Sequence, residues 1–112
     1  MRRVLVVDDS PVARAVLSQK LEAKGAAVQT RSSAREAEQF DSDEIDAVIC
    51  DVDLGDGWGP DAVTELSRRV PVAFLSGGAD EAVLGRARAL GPLFDKTDDV
   101  ELAVSWAMGA PA

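Results

Sequence analysis

The sequence predicts an α/β domain: a doubly wound, five-stranded parallel sheet with helices on both faces. Three observations carry that expectation. Short apolar runs recur at residues 4–7, 47–50 and 70–75, and unbroken apolar runs of this length read as strands buried on both sides. Stretches with apolar residues at helical spacing lie between them. Each run also stops abruptly at a carboxylate or a hydroxyl: Asp8, Asp51 and Ser76.

In chain order, Val4-Leu5-Val6-Val7 forms the first strand and ends in Asp8-Asp9-Ser10-Pro11. Ser10 is a good N-cap, and Pro11 suits the first helical position. The helix runs over about residues 11–24, with Ala13, Leu17 and Leu21 at four-residue spacing and Val12 and Val16 beside them. Gly25 closes it. Residues 26–30 read as a second, weaker strand near an edge. Ser32 or Ser33 caps a second helix through about Phe40, and residues 41–44 read as a solvated polar loop. The third strand, 47–50, delivers Asp51 into a loop rich in glycine and acids. Gly59-Pro60 opens a third helix through about Arg68, with Ala62, Val63 and Leu66 on its inner face. Residues 70–75 form the fourth strand, ended by Ser76-Gly77-Gly78. A helix over about 79–89 closes at Gly91-Pro92. Leu93-Phe94-Asp95 is a short fifth strand with Lys96 at its end. Thr97 or Asp98 caps a last helix through about Met108, and residues 109–112 read as a fraying tail. Neither a repeat nor a linker interrupts the pattern, so residues 1–112 read as one domain.

Bulk properties narrow the function. The chain has 112 residues and a net charge of −8, from 20 acids against 12 bases. That balance disfavours nucleic acid, which needs a basic face, and suits cations and basic partner surfaces. The absence of histidine excludes Ser-His and Cys-His catalysis and makes most zinc sites unfavourable. The single cysteine, Cys50, reads as a small buried hydrophobe and fits a reducing, cytoplasmic setting. No stretch reaches transmembrane length, so no membrane role is expected.

In a doubly wound sheet the carboxyl ends of the strands share one edge, at the crevice where strand order reverses. Asp8, Asp9, Asp51, Ser76 and Lys96 therefore converge. Two unit charges about 4 Å apart repel by roughly 4 kcal/mol at an effective dielectric of about 20, so three carboxylates need a counter-charge. Hard oxygen ligands favour Mg2+. A cation beside a carboxylate nucleophile is suited to phosphorylating that nucleophile. Lys96 would neutralise incoming phosphoryl oxygens and Ser76 would donate a hydrogen bond to one.

These five residues, in this order and each at a strand end, resemble the receiver domain of response regulators in two-component signalling, of the stand-alone, chemotaxis type. Gly59, eight residues past Asp51, matches the same pattern. The resemblance implies a flavodoxin-like fold with strand order 2-1-3-4-5. It implies that Asp51 accepts a phosphoryl group from the phosphohistidine of a sensor histidine kinase or histidine phosphotransfer protein. Mg2+ would be held by Asp8, Asp9, Asp51 and the backbone carbonyl of Asp53. Such a domain is not an enzyme of the ordinary kind; it catalyses its own phosphoryl acceptance and the hydrolysis of its aspartyl phosphate. A downstream protein target would read the face made by the fourth helix, the fifth strand and the last helix.

The chain departs from the family pattern at three places. Gly55 stands where proline is usual, which implies a looser loop. Thr97 follows the lysine in place of proline. Leu93 occupies the position of the switch aromatic; Phe94 is adjacent, but a one-residue shift in a strand points the other way. A pseudo-receiver, a binding module that does not use phosphate, is the alternative these departures suggest. A second alternative is a haloacid-dehalogenase-type phosphatase, whose first motif Asp51-Val52-Asp53 resembles. Against it, that motif normally opens its fold, and here a whole βαβα unit precedes it. Asp53 and Asp56 read as loop acids, Trp58 as a partly exposed aromatic near the site, and Trp106 as helix packing.

Overall fold

The computed structural model describes residues 1–109. Strands β1 (Arg3–Val7), β2 (Ala27–Arg31), β3 (Ala47–Asp51), β4 (Val72–Ser76) and β5 (Leu93–Asp95) form one sheet in the order β2-β1-β3-β4-β5. Every neighbouring pair is parallel. The fold class and strand order expected from the sequence are those observed. β3 and β4 are buried throughout, whereas β2 is half-buried along its length and occupies an edge.

Side chains alternate between the two faces of the sheet, as the pleat requires. Leu5, Val7, Val48, Cys50, Val72 and Phe74 form one core layer. It lies under α2 (Ala34–Glu38), α3 (Gly59–Ala62), α4 (Thr64–Ser67) and α5 (Glu81–Leu90). Val4, Val6, Ile49 and Leu75 form the other layer, under α1 (Pro11–Ala23) and α6 (Val100–Gly109). Each fully buried Val, Leu or Phe contributes about 1.5–3 kcal/mol relative to leaving it in water. The alternation also separates the adjacent residues of β5. Leu93 packs with the α5 layer, and Phe94 with the α1–α6 layer.

The helices start where their caps dictate. Ser10 Oγ accepts from the Ala13 N–H at 3.2 Å, Pro11 is the first residue of α1, and Leu17 and Leu21 face the core. Val12 and Val16, beside that stripe, are exposed. Ser33 caps α2, which is shorter than expected and stops at Glu38. The polar stretch after it is not wholly loop: Ser42–Glu44 forms one 3-10 turn capped by Asp41.

Three further elements differ from the sequence reading. The single helix expected over residues 59–68 is broken at Val63 into α3 and α4. Thr64 Oγ1 donates to the Pro60 carbonyl at 2.8 Å, and Ser67 Oγ to the Thr64 carbonyl at 2.6 Å. Such side-chain bonds compete with the helical ladder. β4 begins at Val72 rather than residue 70, because the Val70 N–H completes the preceding turn on the Leu66 carbonyl. α6 begins at Val100, later than a Thr97 or Asp98 cap would place it. Both of their N–H groups are taken by Asp95 Oδ1, at 2.8 and 2.9 Å. Gly109 is the last residue of α6; the remainder of the expected tail lies outside the described residues.

Candidate functional site

The reversal of strand order falls between β1 and β3, and the crevice there is built from strand ends. Asp8 directly follows β1. Its backbone is fixed at both ends: its N–H donates to the Arg31 carbonyl at 3.1 Å, and its carbonyl accepts from Arg14 Nη1 at 2.8 Å. Its Oδ1 accepts from the Ser10 N–H at 2.9 Å. Asp51 ends β3, in register beside Leu75 of β4. Lys96 follows β5, and its N–H donates to the Ser76 carbonyl at 2.9 Å, which extends the strand pairing by one residue.

That framework places the Lys96 ammonium 2.9 Å from Asp51 Oδ2 and 2.9 Å from Asp8 Oδ2. The contact to Asp51 is a hydrogen bond. The contact to Asp8 is an ion pair by distance but lacks hydrogen-bond geometry, so the buried Asp8 Oδ2 has no hydrogen-bond donor. Burial pushes the Asp51 carboxyl up to about 6, against the hydrogen bond from Lys96 and with the Asp8 charge adding to the rise. For Lys96, burial is the largest single influence and lowers its pKa. The close contacts of the ammonium with Asp8 and Asp51, and their negative charges, together outweigh it and hold the ammonium above its usual value. Burial raises the Cys50 thiol well above its usual range, consistent with an inert core residue.

Asp8, Asp9 and Asp51 each offer a carboxylate oxygen, all within 4.8 Å of one another. One lysine cannot neutralise three carboxylates, and one buried oxygen lacks a donor. An oxygen-liganded divalent cation fits this donor set. Asp53 is not in the cluster by its side chain, whose Oδ1 accepts from the Gly55 N–H of its own loop at 3.0 Å. The Ser76 hydroxyl lies at the end of β4 and accepts from the Gly78 N–H at 3.0 Å. Trp58 is partly exposed and pairs with Asp53 through one antiparallel bridge.

Two glycines shape the loop after Asp51. A Cβ on Gly59 would stand 2.1 Å from the Asp51 carbonyl oxygen, so only glycine lets α3 start this close to β3. Gly55 has φ +81°, closed to the proline usual there, and a Cβ on it would lie 3.5 Å from Asp9 Oδ2.

Sequence reasoning did not single out Arg14, and it passed over Asp56 as a loop acid. Arg14 bonds a carbonyl six residues before it, whereas Asp56 bonds backbone groups more than twenty residues away. No spacing rule signals Arg14, although its place in the first turns of a helix leaving a strand end puts it near Asp8. No sequence signal marks Asp56, because its loop meets the start of α2 only in the fold.

The doubly wound sheet and its acidic, lysine-bearing crevice define an α/β protein with its candidate site at the carboxyl ends of its strands. The profile of the response regulator receiver domain matches residues 4–92, and the chain belongs to that family. The signal receiver domain of an HD domain-containing protein from Pseudomonas fluorescens Pf-5 superposes with a TM-score of 0.81 at 23% identity, covering 96% of this chain and 92% of that one. The beryllofluoride-activated NtrC4 receiver domain dimer gives 0.76 at 28% identity, covering 96% of each. A Burkholderia pseudomallei response regulator protein, solved with a phosphorylated aspartic acid, a calcium ion and citrate, gives 0.76 at 23% identity, covering 98% of this chain and 68% of that one. No curated protein matches the chain.

Proposed function

We propose that this receiver domain accepts a phosphoryl group on Asp51 from the phosphohistidine of a sensor histidine kinase or a histidine phosphotransfer protein. The observation that carries the reading is the Asp51 carboxylate at a buried strand end, 2.9 Å from Lys96 and grouped with Asp8 and Asp9. A carboxylate oxygen of Asp51 attacks phosphorus, the P–N bond to the partner histidine breaks, and the imidazole leaves. The product is an aspartyl phosphate. Water attacking its phosphorus later returns the carboxylate and inorganic phosphate. Lys96 shifts from neutralising Asp51 to neutralising phosphoryl oxygens, and Ser76 turns its hydroxyl to donate to one of them.

Asp8, Asp9 and Asp51, with the Asp53 carbonyl, are the residues that would hold Mg2+. When bound, Mg2+ supplies positive charge against the oxygens of the reacting groups. The Burkholderia pseudomallei protein carries both a phosphorylated aspartic acid and a divalent cation, which supports the reading by likeness of fold. An apolar groove of about 230 Å3 runs between α1 and the start of α6, lined by Val12, Val16, Val100 and Lys96 among others. A phosphohistidine-bearing partner helix seated on it would approach Asp51 beside Lys96. A second groove of about 280 Å3, bounded by Ser76, Gly78, Leu84 and Leu93, lies on the α5–β5 side and is where a downstream target would sense the changed loops. Among the described residues, no helix is long and apolar enough to cross a membrane; the family's phosphohistidine donors imply action in the cytoplasm.

One observation favours a second reading. The family match ends at residue 92, just before the departures at Leu93 and Thr97, which suits a binding module that does not use phosphate. Intact mass after incubation with Mg2+ and acetyl phosphate decides between them. One phosphoryl group gained by the native chain, and none by Asp51→Asn or without Mg2+, is the expected result. No gain, either from acetyl phosphate or from a phosphorylated partner, would sink the first reading in favour of the second.

A further inference from the structure

We propose that Asp56 is a positioning residue for phosphoryl acceptance, clamping the loop between β3 and α3 onto the start of α2 and so setting that loop against Asp9. The inference rests on the reading of Asp51 as phosphoryl acceptor. Asp56 Oδ1 accepts from the Ala34 N–H at 2.8 Å, and Oδ2 from the Arg35 N–H at 3.1 Å. N–H groups in the first turn of a helix have no intrahelical acceptor, so these two are free for a carboxylate from elsewhere. The remaining bonds of the loop are internal or close its base. Leu54 N–H donates to the Gly57 carbonyl at 3.0 Å, Gly55 N–H to Asp53 Oδ1 at 3.0 Å, and Gly59 N–H to the Val52 carbonyl at 2.6 Å. Among the described residues, Asp56 makes the hydrogen bonds that tie the tip of the loop to another element.

The opposite side of the same tip faces the acidic cluster. Gly55, next to Asp56, is the residue whose Cβ would lie 3.5 Å from Asp9 Oδ2. Asp9 is exposed at the mouth of the crevice, and its carboxylate lies on the side of the tip to which a side chain at Gly55 would point. The loop also carries Asp53, whose carbonyl the family likeness directs to the cation. A tip that swings away from α2 carries both Gly55 and the Asp53 carbonyl with it. Gly55 gives up the rigidity that proline lends this position in the family, and the bidentate contact of Asp56 restores a fixed geometry from outside the loop.

Three variants test the clamp. Asp56→Ala removes both acceptors. Asp56→Asn keeps one. Ala34→Pro removes the donor to Oδ1 at the first helical residue of α2, where proline is tolerated, after a Ser33 already extended at φ −148° and ψ 160°. Two readouts are needed: Mg2+ half-saturation of the unphosphorylated chain by calorimetry, and the rate of phosphorylation by acetyl phosphate across Mg2+ concentration. Loss of a partner that orients metal ligands costs about tenfold or more in metal affinity. Half-saturating Mg2+ is therefore expected to rise about tenfold in Asp56→Ala and Ala34→Pro, with Asp56→Asn between them and the native chain. The phosphorylation rate should return towards the native value once Mg2+ saturates. A purely structural contact would lower the urea midpoint and leave half-saturation where it was, which overturns the clamp while Asp51 phosphorylation stands. A native chain that gains no phosphoryl group overturns the functional reading itself.

Discussion

A buried carboxylate with its pKa pushed up to about 6 works against the fold that holds it. In the unfolded chain Asp51 returns to the usual range near 4. The folded state therefore binds the proton more tightly than the unfolded state does. Its contribution is most favourable below about pH 4, is lost as pH rises towards about 6, and stays lost above. Asp51→Asn removes that penalty. The cation-free variant is expected to be more stable than the native chain by about 1–3 kcal/mol near pH 7 and by almost nothing near pH 4. Thermal melts of both chains across that range check it; a gain independent of pH would mean that burial of charge is not its source. At this scale the sequence was informative where a polar residue ends an apolar run. Asp8, Asp51 and Ser76 were legible for that reason, and Lys96 by its place after a short fifth run. Arg14 and Asp56 were not: Arg14 bonds a main-chain carbonyl, which no residue type marks, and Asp56 bonds N–H groups of Ala34 and Arg35 brought near only by the fold.

Elements meet most tightly where α3 leaves the β3 loop. Gly59 is the first residue of α3 and lies against the Asp51 carbonyl, a backbone atom with no freedom to give way. Gly59→Ala is expected to destabilise the domain by about 1–3 kcal/mol, the usual range for overpacking. Urea denaturation measures it, and an unchanged midpoint would show that the helix start relocates without strain. The strands were readable from the sequence because a strand buried on both faces must be apolar throughout. The helix limits were less so, for a reason seen at three places. Thr64 and Ser67 divert carbonyls within α3 and α4, Asp95 captures the N–H groups of Thr97 and Asp98, and Asp80 caps α5 through the Val83 N–H at 3.0 Å. Side-chain bonds of this kind shift a boundary by a few residues without altering the apolar pattern.

For the whole molecule, the crevice is built on the ends of the strands that carry the two core layers, so a cation bound there would be linked to global stability. A ligand that binds the folded state alone stabilises it by about 2.7 kcal/mol at roughly a hundredfold over its Kd. Mg2+ is expected to raise the melting temperature by several degrees under such conditions. Asp9→Asn, a change at an exposed member of the cluster, should shrink that rise while leaving the Mg2+-free melt near native; an undiminished rise would place the cation elsewhere. The two-layer order was legible as a whole because alternating strand and helix patterns admit few right-handed arrangements. The two margins of the sheet are unequal in a way that bears on self-association. β2 offers five residues along its outer side, whereas β5 offers three before the chain turns away through the bonds of Asp95 to Thr97 and Asp98. An open strand edge can recruit a stray chain rung by rung. A three-rung margin stopped by an acidic turn gives an aggregating neighbour almost nothing to extend, so fibre growth is discouraged on the side that carries Lys96.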